Sequence, residues 1–286
     1  MRLGVNLPYR RADGTSPTVH ELMARSKLIE DLGFDGIWMG DTVGRWDFAG
    51  QDTLQWLLAA AAGTQRVEIG TAVMQMPLRN PVEFAQRLIT LAALSGGRFV
   101  AGVGAGSTPK DFAAVGLDVK DRFKLLSKGL PVIKALINGE TVDGVSHHPP
   151  ANVAGKPPLI LSALHTGPWI ARAAQEYDGW IASGFSGFAN LREGIKRYKE
   201  AGGTGRTIVA TVNVDLHAES TRLDENGRFT LQCGPEEAAD RLARLADLGF
   251  DDVCCSRLNY SEEEWPEEDL AQLRSLLPRD PRSTNP

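Results

Sequence analysis

Cysteine is scarce in this chain: three residues in 286, at positions 233, 254 and 255. The count is odd and no two are spaced Cys-x-x-Cys, so a disulfide framework is excluded and a cytoplasmic location is expected. Cys254 and Cys255 stand inside an apolar run and read as small buried side chains. Long apolar runs are also missing. The longest, Leu57 to Ala62, stops at Gly63, far short of the ~20 residues that cross a bilayer. A strand pattern starts at Arg2, which leaves no space for the charged, apolar and small-residue regions of a signal peptide. No basic stripe interrupts a formal charge of -5, so nucleic acid is not an expected partner.

Histidine is the next shortage, with five in all. There is no His-Glu-x-x-His and no His-x-His on the first strand. Only His165 falls at a strand end, so no metal ligands are assigned and a metal-dependent hydrolase is the weaker reading. Glycoside hydrolysis wants two carboxylates at strand ends, and Asp41 is the one that is well placed.

What the sequence does contain is alternation. Short stretches rich in Val, Ile and Gly are predicted as strands at Arg2–Leu7, Asp35–Gly40, Val67–Met74, Arg98–Val103, Pro158–Ala163, Asp178–Ala182, Thr207–Asn213 and Asp251–Cys255. Between them, amphipathic stretches predict helices at Val19–Leu32, Asp52–Ala62, Pro81–Leu94, Asp121–Ile137, Pro168–Tyr177, Ala189–Ala201, Glu236–Leu248 and Glu267–Leu277. Eight of each in strict order fit an α/β fold of the TIM (β/α)₈ barrel type better than an open doubly wound sheet. One domain is expected over 1–286, the barrel proper ending near 277 and a short tail following at 278–286.

Local signals agree. Asn80 before Pro81 is an N-cap followed by proline at the first helical position. Gly33 follows Leu32 where a residue without Cβ ends a helix in the left-handed conformation. The run Asp31-Leu32-Gly33-Phe34-Asp35 returns as Asp247-Leu248-Gly249-Phe250-Asp251, the same helix–turn–strand unit before the second and the eighth strand. Two stretches read as irregular, Ser107–Lys120 and Asn138–Pro157. The first leaves the C-terminal end of a strand and can overhang the active-site face. The second, with His147 and His148, enters a strand and belongs nearer the opposite face.

In such barrels the chemistry collects at the C-terminal strand ends. That rule selects Leu7-Pro8-Tyr9, Gly40-Asp41-Thr42, Met74-Gln75-Met76-Pro77, Gly104-Ala105-Gly106-Ser107, Ser162–Thr166, Ser183-Gly184, Asn213 and Ser256-Arg257. The glycines of Gly102-Val103-Gly104-Ala105-Gly106 allow close approach of a flat ring or a phosphate, or serve only as tight turns. Thr108-Pro109-Lys110 follows them, not the helix that a dinucleotide fingerprint requires. Ser162 through Gly167 joins a strand to a helix and offers free N–H groups to a phosphate, though Thr166 equally suits a helix N-cap. Asp41 and His165 are the candidate proton donors. Trp38, Trp46, Trp56 and Trp180 are candidates for an aromatic mouth, with ordinary packing favoured for Trp38 and Trp56. Arg45, Asp47 and Asp52 lie near Asp41 without a fixed spacing. Glycines, hydroxyls and few titratable groups suit a site where an organic cofactor does the difficult chemistry.

Specific stretches carry a resemblance: Leu32-Gly33-Phe34-Asp35-Gly36-Ile37-Trp38-Met39-Gly40-Asp41, Ile69-Gly70-Thr71-Ala72-Val73 with Pro77-Leu78-Arg79-Asn80-Pro81, and Leu94-Ser95-Gly96-Gly97-Arg98-Phe99 through Gly106. With these the sequence resembles the bacterial-luciferase-like family of flavin- and deazaflavin-dependent oxidoreductases. The resemblance implies a TIM barrel holding FMN or coenzyme F420. Val73, Met74 and Gln75 would support the ring near a non-proline cis peptide, and Gly104, Gly106 and Ser107 would lie along the cofactor. Ala163, Leu164, His165 and Thr166 would face its phosphate. It further implies oxygenation with reduced FMN (a monooxygenase) or hydride transfer with F420, on a small organic substrate. A flavin reductase or F420-reducing enzyme would supply the cofactor, and a homodimer is expected. A barrel that binds flavin without turnover is the alternative. Thr42 stands where many relatives carry histidine, and Ser162-Ala163-Leu164 replaces a more open, glycine-rich phosphate loop.

Overall fold

The computed structural model describes residues 1–8, 11, 13–44, 51–257 and 265–278. Eight parallel strands close on themselves: β1 (Arg2–Asn6), β2 (Gly36–Met39), β3 (Glu68–Thr71), β5 (Phe99–Gly104), β6 (Leu159–Ser162), β7 (Gly179–Ser183), β8 (Arg206–Asp215) and β10 (Asp252–Arg257). Each pairs with the next, and β10 pairs with both β8 and β1, which closes the TIM barrel. Two short pieces extend it. Here β4 (Met74–Gln75) continues beyond β3 along β5, and β9 (Leu231–Gln232) pairs with the end of β8.

The outer ring is α1 (Val19–Leu32), α2 (Thr53–Ala62), α3 (Pro81–Leu94), α5 (Arg122–Ile137), α6 (Trp169–Glu176), α7 (Phe188–Glu200), α8 (Pro235–Leu248) and α9 (Glu267–Ser275). Their ends follow the sequence signals. Asn80 accepts from the N–H groups of Val82 and Glu83, and Thr18 with Glu21 forms a capping box at α1. Gly33 and Gly249 end α1 and α8 at φ 89° and 95°, so the repeated Asp-Leu-Gly-Phe-Asp is one turn used twice.

Inside the barrel a single large side chain dominates. Trp38 is 1% exposed and packs with Val100, Ile160, Ile181, Ile208 and Cys254. Its ring fits because glycines face it: a Cβ on Gly70 would sit 2.2 Å from Trp38 Cε3, and one on Gly36 2.4 Å from Nε1. Below this layer the barrel is sealed by charge. Arg206 makes paired hydrogen bonds to Asp252 at 2.6 and 2.5 Å, and Glu68 lies 2.7 Å from both Arg2 and Arg206. Burial opposes the charge on Arg206, yet its carboxylate partners hold its pKa above the ordinary value. The layer between strands and helices is continuous and apolar, and hydrophobic burial there is the main source of stability.

Several expected boundaries move. The predicted strand at 67–74 is broken by the Ala72–Val73 peptide, which is cis, into β3 and β4. The stretch 107–120 is not irregular throughout: it contains the helix α4 (Pro109–Ala114) and a 3₁₀ turn at Val119–Asp121. Pro109 opens that helix at its first position, where a missing N–H costs nothing. Between β8 and α8 the chain makes a third long excursion over 216–234, which the alternation did not reveal. The expected tail beyond 278 lies outside the described residues.

Candidate active site

Alternation along each strand decides what reaches the open, C-terminal end of the barrel. Gly4, Trp38, Gly70, Val100, Ile181 and Cys254 face inward, so residues two further along on most strands form the next layer up. That layer holds Asn6, Ala72, Gly104, Ser162, Ser183 and Ser256, joined by Asn213 of β8. None of these side chains is ionisable. The mouth is floored by small neutral hydrogen-bonding groups and glycine.

One wall of the mouth is built for close approach. A Cβ on Gly104 would lie 3.0 Å from Val73 Cγ2 and 3.3 Å from the Ser162 Cβ. Gly106 has φ +71°, and a Cβ there would meet Gln75 Oε1 at 2.5 Å. Gln75 Oε1 is buried and accepts no hydrogen bond. The structure therefore brings Val73, Gln75, Gly104 and Gly106 together. Met74 departs from the expectation, since its side chain is 1% exposed within the strand–helix core and only its backbone lies along this wall. Ser107 follows Gly106 and is exposed.

Asp41 does not stand free at the mouth. Arg79 holds its carboxylate with two hydrogen bonds, Nη1 to Oδ2 at 2.6 Å and Nη2 to Oδ1 at 2.7 Å. The Gln75 backbone N–H adds a third, 2.9 Å from Oδ2. Its side chain is 2% exposed. Beside it, the buried Asp111 on α4 gathers three segments: Oδ1 accepts from the N–H groups of Val43 and Gly44 at 3.0 and 2.7 Å, and Oδ2 from Gln75 Nε2 at 2.7 Å. These two carboxylates tie the β2 exit, β4 and α4 into one unit around Gln75. Thr42 contributes a hydroxyl 3.4 Å from Asp111 Oδ1.

The loop after β6 is the expected phosphate seat. Trp180 Nε1 donates to Ala163 O at 2.9 Å and fixes the start of the loop. Leu164 is 67% exposed. Among the described residues the N–H groups of Leu164, His165 and Thr166 donate to no protein acceptor. The N-cap of α6 is Pro168, not Thr166, and no side chain caps that helix. His165 leans on α7: its Cβ lies 3.1 Å from where a Cβ of Gly194 would sit, and its Nδ1 is buried without a partner.

The aromatic mouth takes a different form from the expected one. Trp38 fills the barrel, Trp180 packs outward against Tyr198 and Phe250, and Trp56 donates to Pro8 O at 3.2 Å from the helix layer. Arg45, Trp46 and Asp47 lie outside the described residues; Asp52 is the N-cap of α2. A cleft of about 880 Å³ opens at the other end of the barrel, lined by Arg2, Asp35, Glu68, Arg206 and Asp252 among others. Its charges are largely spent on one another, and it sits on the face where these barrels carry stability, not catalysis. His147 also points away from the mouth, bonded to Val82 O at the start of α3.

With this geometry in hand, comparison with known proteins is decisive. Residues 1–226 match the family model described as luciferase-like monooxygenase. The chain belongs to that family. A luciferase-like relative, the F420-dependent glucose-6-phosphate dehydrogenase of Amycolatopsis mediterranei, is 29% identical over 287 residues, covering 90% of this chain and 85% of its own. Among solved structures, an F420-dependent secondary alcohol dehydrogenase in complex with an F420–acetone adduct aligns with a TM-score of 0.73 at 17% identity, over 97% of this chain and 98% of that one. A type II Baeyer–Villiger monooxygenase of Pseudomonas putida in complex with FMN aligns equally well, with a TM-score of 0.73 at 15% identity over 96% of both chains. The fold is thus shared with an F420-dependent dehydrogenase and with an FMN-bound monooxygenase.

Sequence reasoning passed over Asn6, Arg79 as a partner for Asp41, and Asp111. Asn6 was legible as the inward residue two positions after Gly4. The other two join segments 36 to 69 residues apart, which no local pattern signals.

Proposed function

We propose that this luciferase-like chain is an oxidoreductase that binds a flavin or deazaflavin ring at the mouth, with F420 favoured over FMN. The observation that carries the reading is the Gly104–Gly106 wall with the unpartnered Gln75 Oε1 beside it. The glycines let Val73, Ser162 and Gln75 pack directly against this wall and present their side chains at the mouth, and a buried amide oxygen without a donor matches the N–H edge of a flat heteroaromatic ring. F420 is favoured because relatives spanning about 90% of the chain are F420-dependent.

In this reading Val73 supports one face of the ring, Gly104 and Gly106 let Val73 and Gln75 close up on the backbone beside it, and Ser107 lies toward its side chain. Leu164, His165 and Thr166 seat the phosphate through their backbone N–H groups, Ala163 leads into the loop with its own N–H held by Ile181 O, and His165 backs the loop from the α7 side. When bound, the cofactor supplies a hydride acceptor or donor, or in the FMN case reducing power toward oxygen. The chain supplies position and dryness. Asp41 acts as a positioning residue, since Arg79 and Gln75 occupy its oxygens. The floor offers hydroxyl and amide groups for any proton on the substrate, Ser256 Oγ among them. A small organic substrate, a cytoplasmic location, an enzyme that recycles the cofactor and a homodimer complete the reading.

Titrating the purified chain with F420 and with FMN, followed by tryptophan fluorescence, tests it. Saturable binding of F420 that weakens in a Gly104→Val variant is expected. Binding of neither cofactor would overturn it.

A further inference from the structure

We propose that the β8–β10–β1 wall of the mouth is a substrate cradle that recognises a neutral ligand by its own O–H donors. The inference rests on the reading of the opposite wall as the cofactor's. Asn6, Ser256 and Asn213 stand at one level on three adjacent strands: Ser256 is the register partner of Asn213, and the preceding residues Val5 and Cys255 pair with each other. Asn6 Nδ2 donates to Ser256 Oγ at 2.8 Å. Among the described residues Asn6 Oδ1 and Asn213 Oδ1 are both buried and accept no hydrogen bond.

Buried amide oxygens are almost always paired, because stripping them of water without replacing it is unfavourable. Two orphans on one level therefore ask for donors from a ligand. Ser256 spends an acceptor site on Asn6 and keeps its own O–H to give. The set is two acceptors and one donor, with no charge.

The backbone is bent to produce it. Ile208 and Ala210 face inward while Val209 faces the helices, so an unbroken strand would turn Val212 inward and Asn213 outward. Thr211 interrupts the alternation with φ +64°, and the pairing of β8 with β10 slips by one residue between Val253 and Cys255. Val212 then joins the strand–helix core, and the amide of Asn213 takes the inward place. A β-branched residue at positive φ is an outlier. Bulges of this kind re-aim side chains beside active sites, where such strain is retained. Here the bulge replaces a valine with an amide in the mouth.

The occupant that fits is a neutral hydroxylated molecule. No ionisable side chain among Asn6, Ser162, Ser183, Asn213 and Ser256 meets a charged reacting group at this level, and two acceptors flanking the Ser256 hydroxyl suit a molecule with two or more hydroxyls. It would lie across the mouth from Gly104, with its carbon facing the ring.

The test uses the full chain loaded with whichever cofactor binds. cis-Cyclohexane-1,2-diol and its dimethyl ether, the same ring without donors, are titrated against the cofactor's visible absorption band. The diol is expected to bind at least about tenfold more tightly, because a site with buried acceptors rejects an analogue that leaves them unpaired. Asn213→Leu and Asn6→Leu should each bring the two probes within about threefold while leaving cofactor affinity within about threefold of wild type. Equal binding of the two probes, or no saturable response to the diol, overturns the cradle. So does an Asn213→Leu variant that keeps the preference or that loses the cofactor instead. Failure to bind any cofactor would remove the underlying functional reading; cofactor binding without diol preference removes the cradle alone.

Discussion

Replacing Arg79 with leucine separates a scaffold role for Asp41 from a chemical one. The substitution keeps an apolar stem but removes two hydrogen bonds of 2.6 and 2.7 Å to a carboxylate that is 2% exposed. Breaking a fully buried pair from one side costs about 3–5 kcal/mol, because the remaining charge is left unpaired. Arg79 keeps 15% of its side chain in water, and the Gln75 N–H still reaches Oδ2. We therefore expect about 2–4 kcal/mol. For 286 residues the unfolding entropy near the transition is about 0.6 kcal/mol per kelvin, so Tm should fall by about 3–7 °C. The double variant Asp41→Asn with Arg79→Leu carries no orphan charge and should recover at least about 1 kcal/mol relative to the sum of the two singles. Thermal melts followed by circular dichroism give the stabilities, and cofactor titration gives the functional cost, expected to be several-fold because β4 loses its anchor. Strict additivity of the two substitutions, or an Arg79→Leu variant melting within 1 °C of wild type, would refute the clamp.

Four other perturbations follow from the same geometry. Gly70→Ala puts a methyl group 2.2 Å from the Trp38 ring and should cost about 2–3 kcal/mol, at the upper end for overpacking, read as a Tm lower by about 3–5 °C. Gly104→Ala meets its neighbours only at 3.0 and 3.3 Å, so Tm should stay within about 2 °C while cofactor affinity drops about tenfold or more; equal losses in both would argue against a ligand wall. Burial pushes the carboxyl of Glu30 upward, but three backbone N–H groups, from Val67, Arg66 and Gln65, more than offset this and leave its pKa below the usual value. Glu30 thus adds stability that is present above about pH 4.5 and lost as pH falls through its lowered folded-state pKa; Glu30→Gln should flatten that acid limb in pH-dependent melts. His165→Ala should weaken cofactor binding a few-fold in a fluorescence titration, and an unchanged affinity would detach His165 from the phosphate loop.

Much of the architecture could be read from the chain because it is set by short-range rules. Eight apolar stretches separated by capped amphipathic ones leave few alternatives to a closed parallel barrel, and Asn80–Pro81, Gly33 and Gly249 mark their boundaries where a backbone group needed a cap. The unread parts are those decided at a distance. Asp41 was recognised as well placed, yet its partner Arg79 is 38 residues away, and nothing local announces that pairing. Asp111 lies in a segment that reads as loop and becomes a clasp only when α4 folds over the β2 exit. The Thr211 bulge is invisible to alternation because it breaks the alternation from which the strand was recognised. For the candidate site, composition singled out the glycine wall, and strand position singled out Ser162, Asn213 and Ser256. Which of their atoms remain unpartnered required the assembled barrel.

The central claim is that the glycine wall of this luciferase-like barrel seats a flavin-type ring. The most direct measurement is the cofactor dissociation constant of the wild-type chain for F420 and for FMN beside that of Gly104→Val, with melts confirming that both are folded. Saturable one-to-one binding is expected, tighter for F420, with a loss of at least about tenfold in the variant. Equal affinity in the two proteins would place the ring elsewhere, and a folded wild-type chain that binds neither cofactor would contradict the account outright.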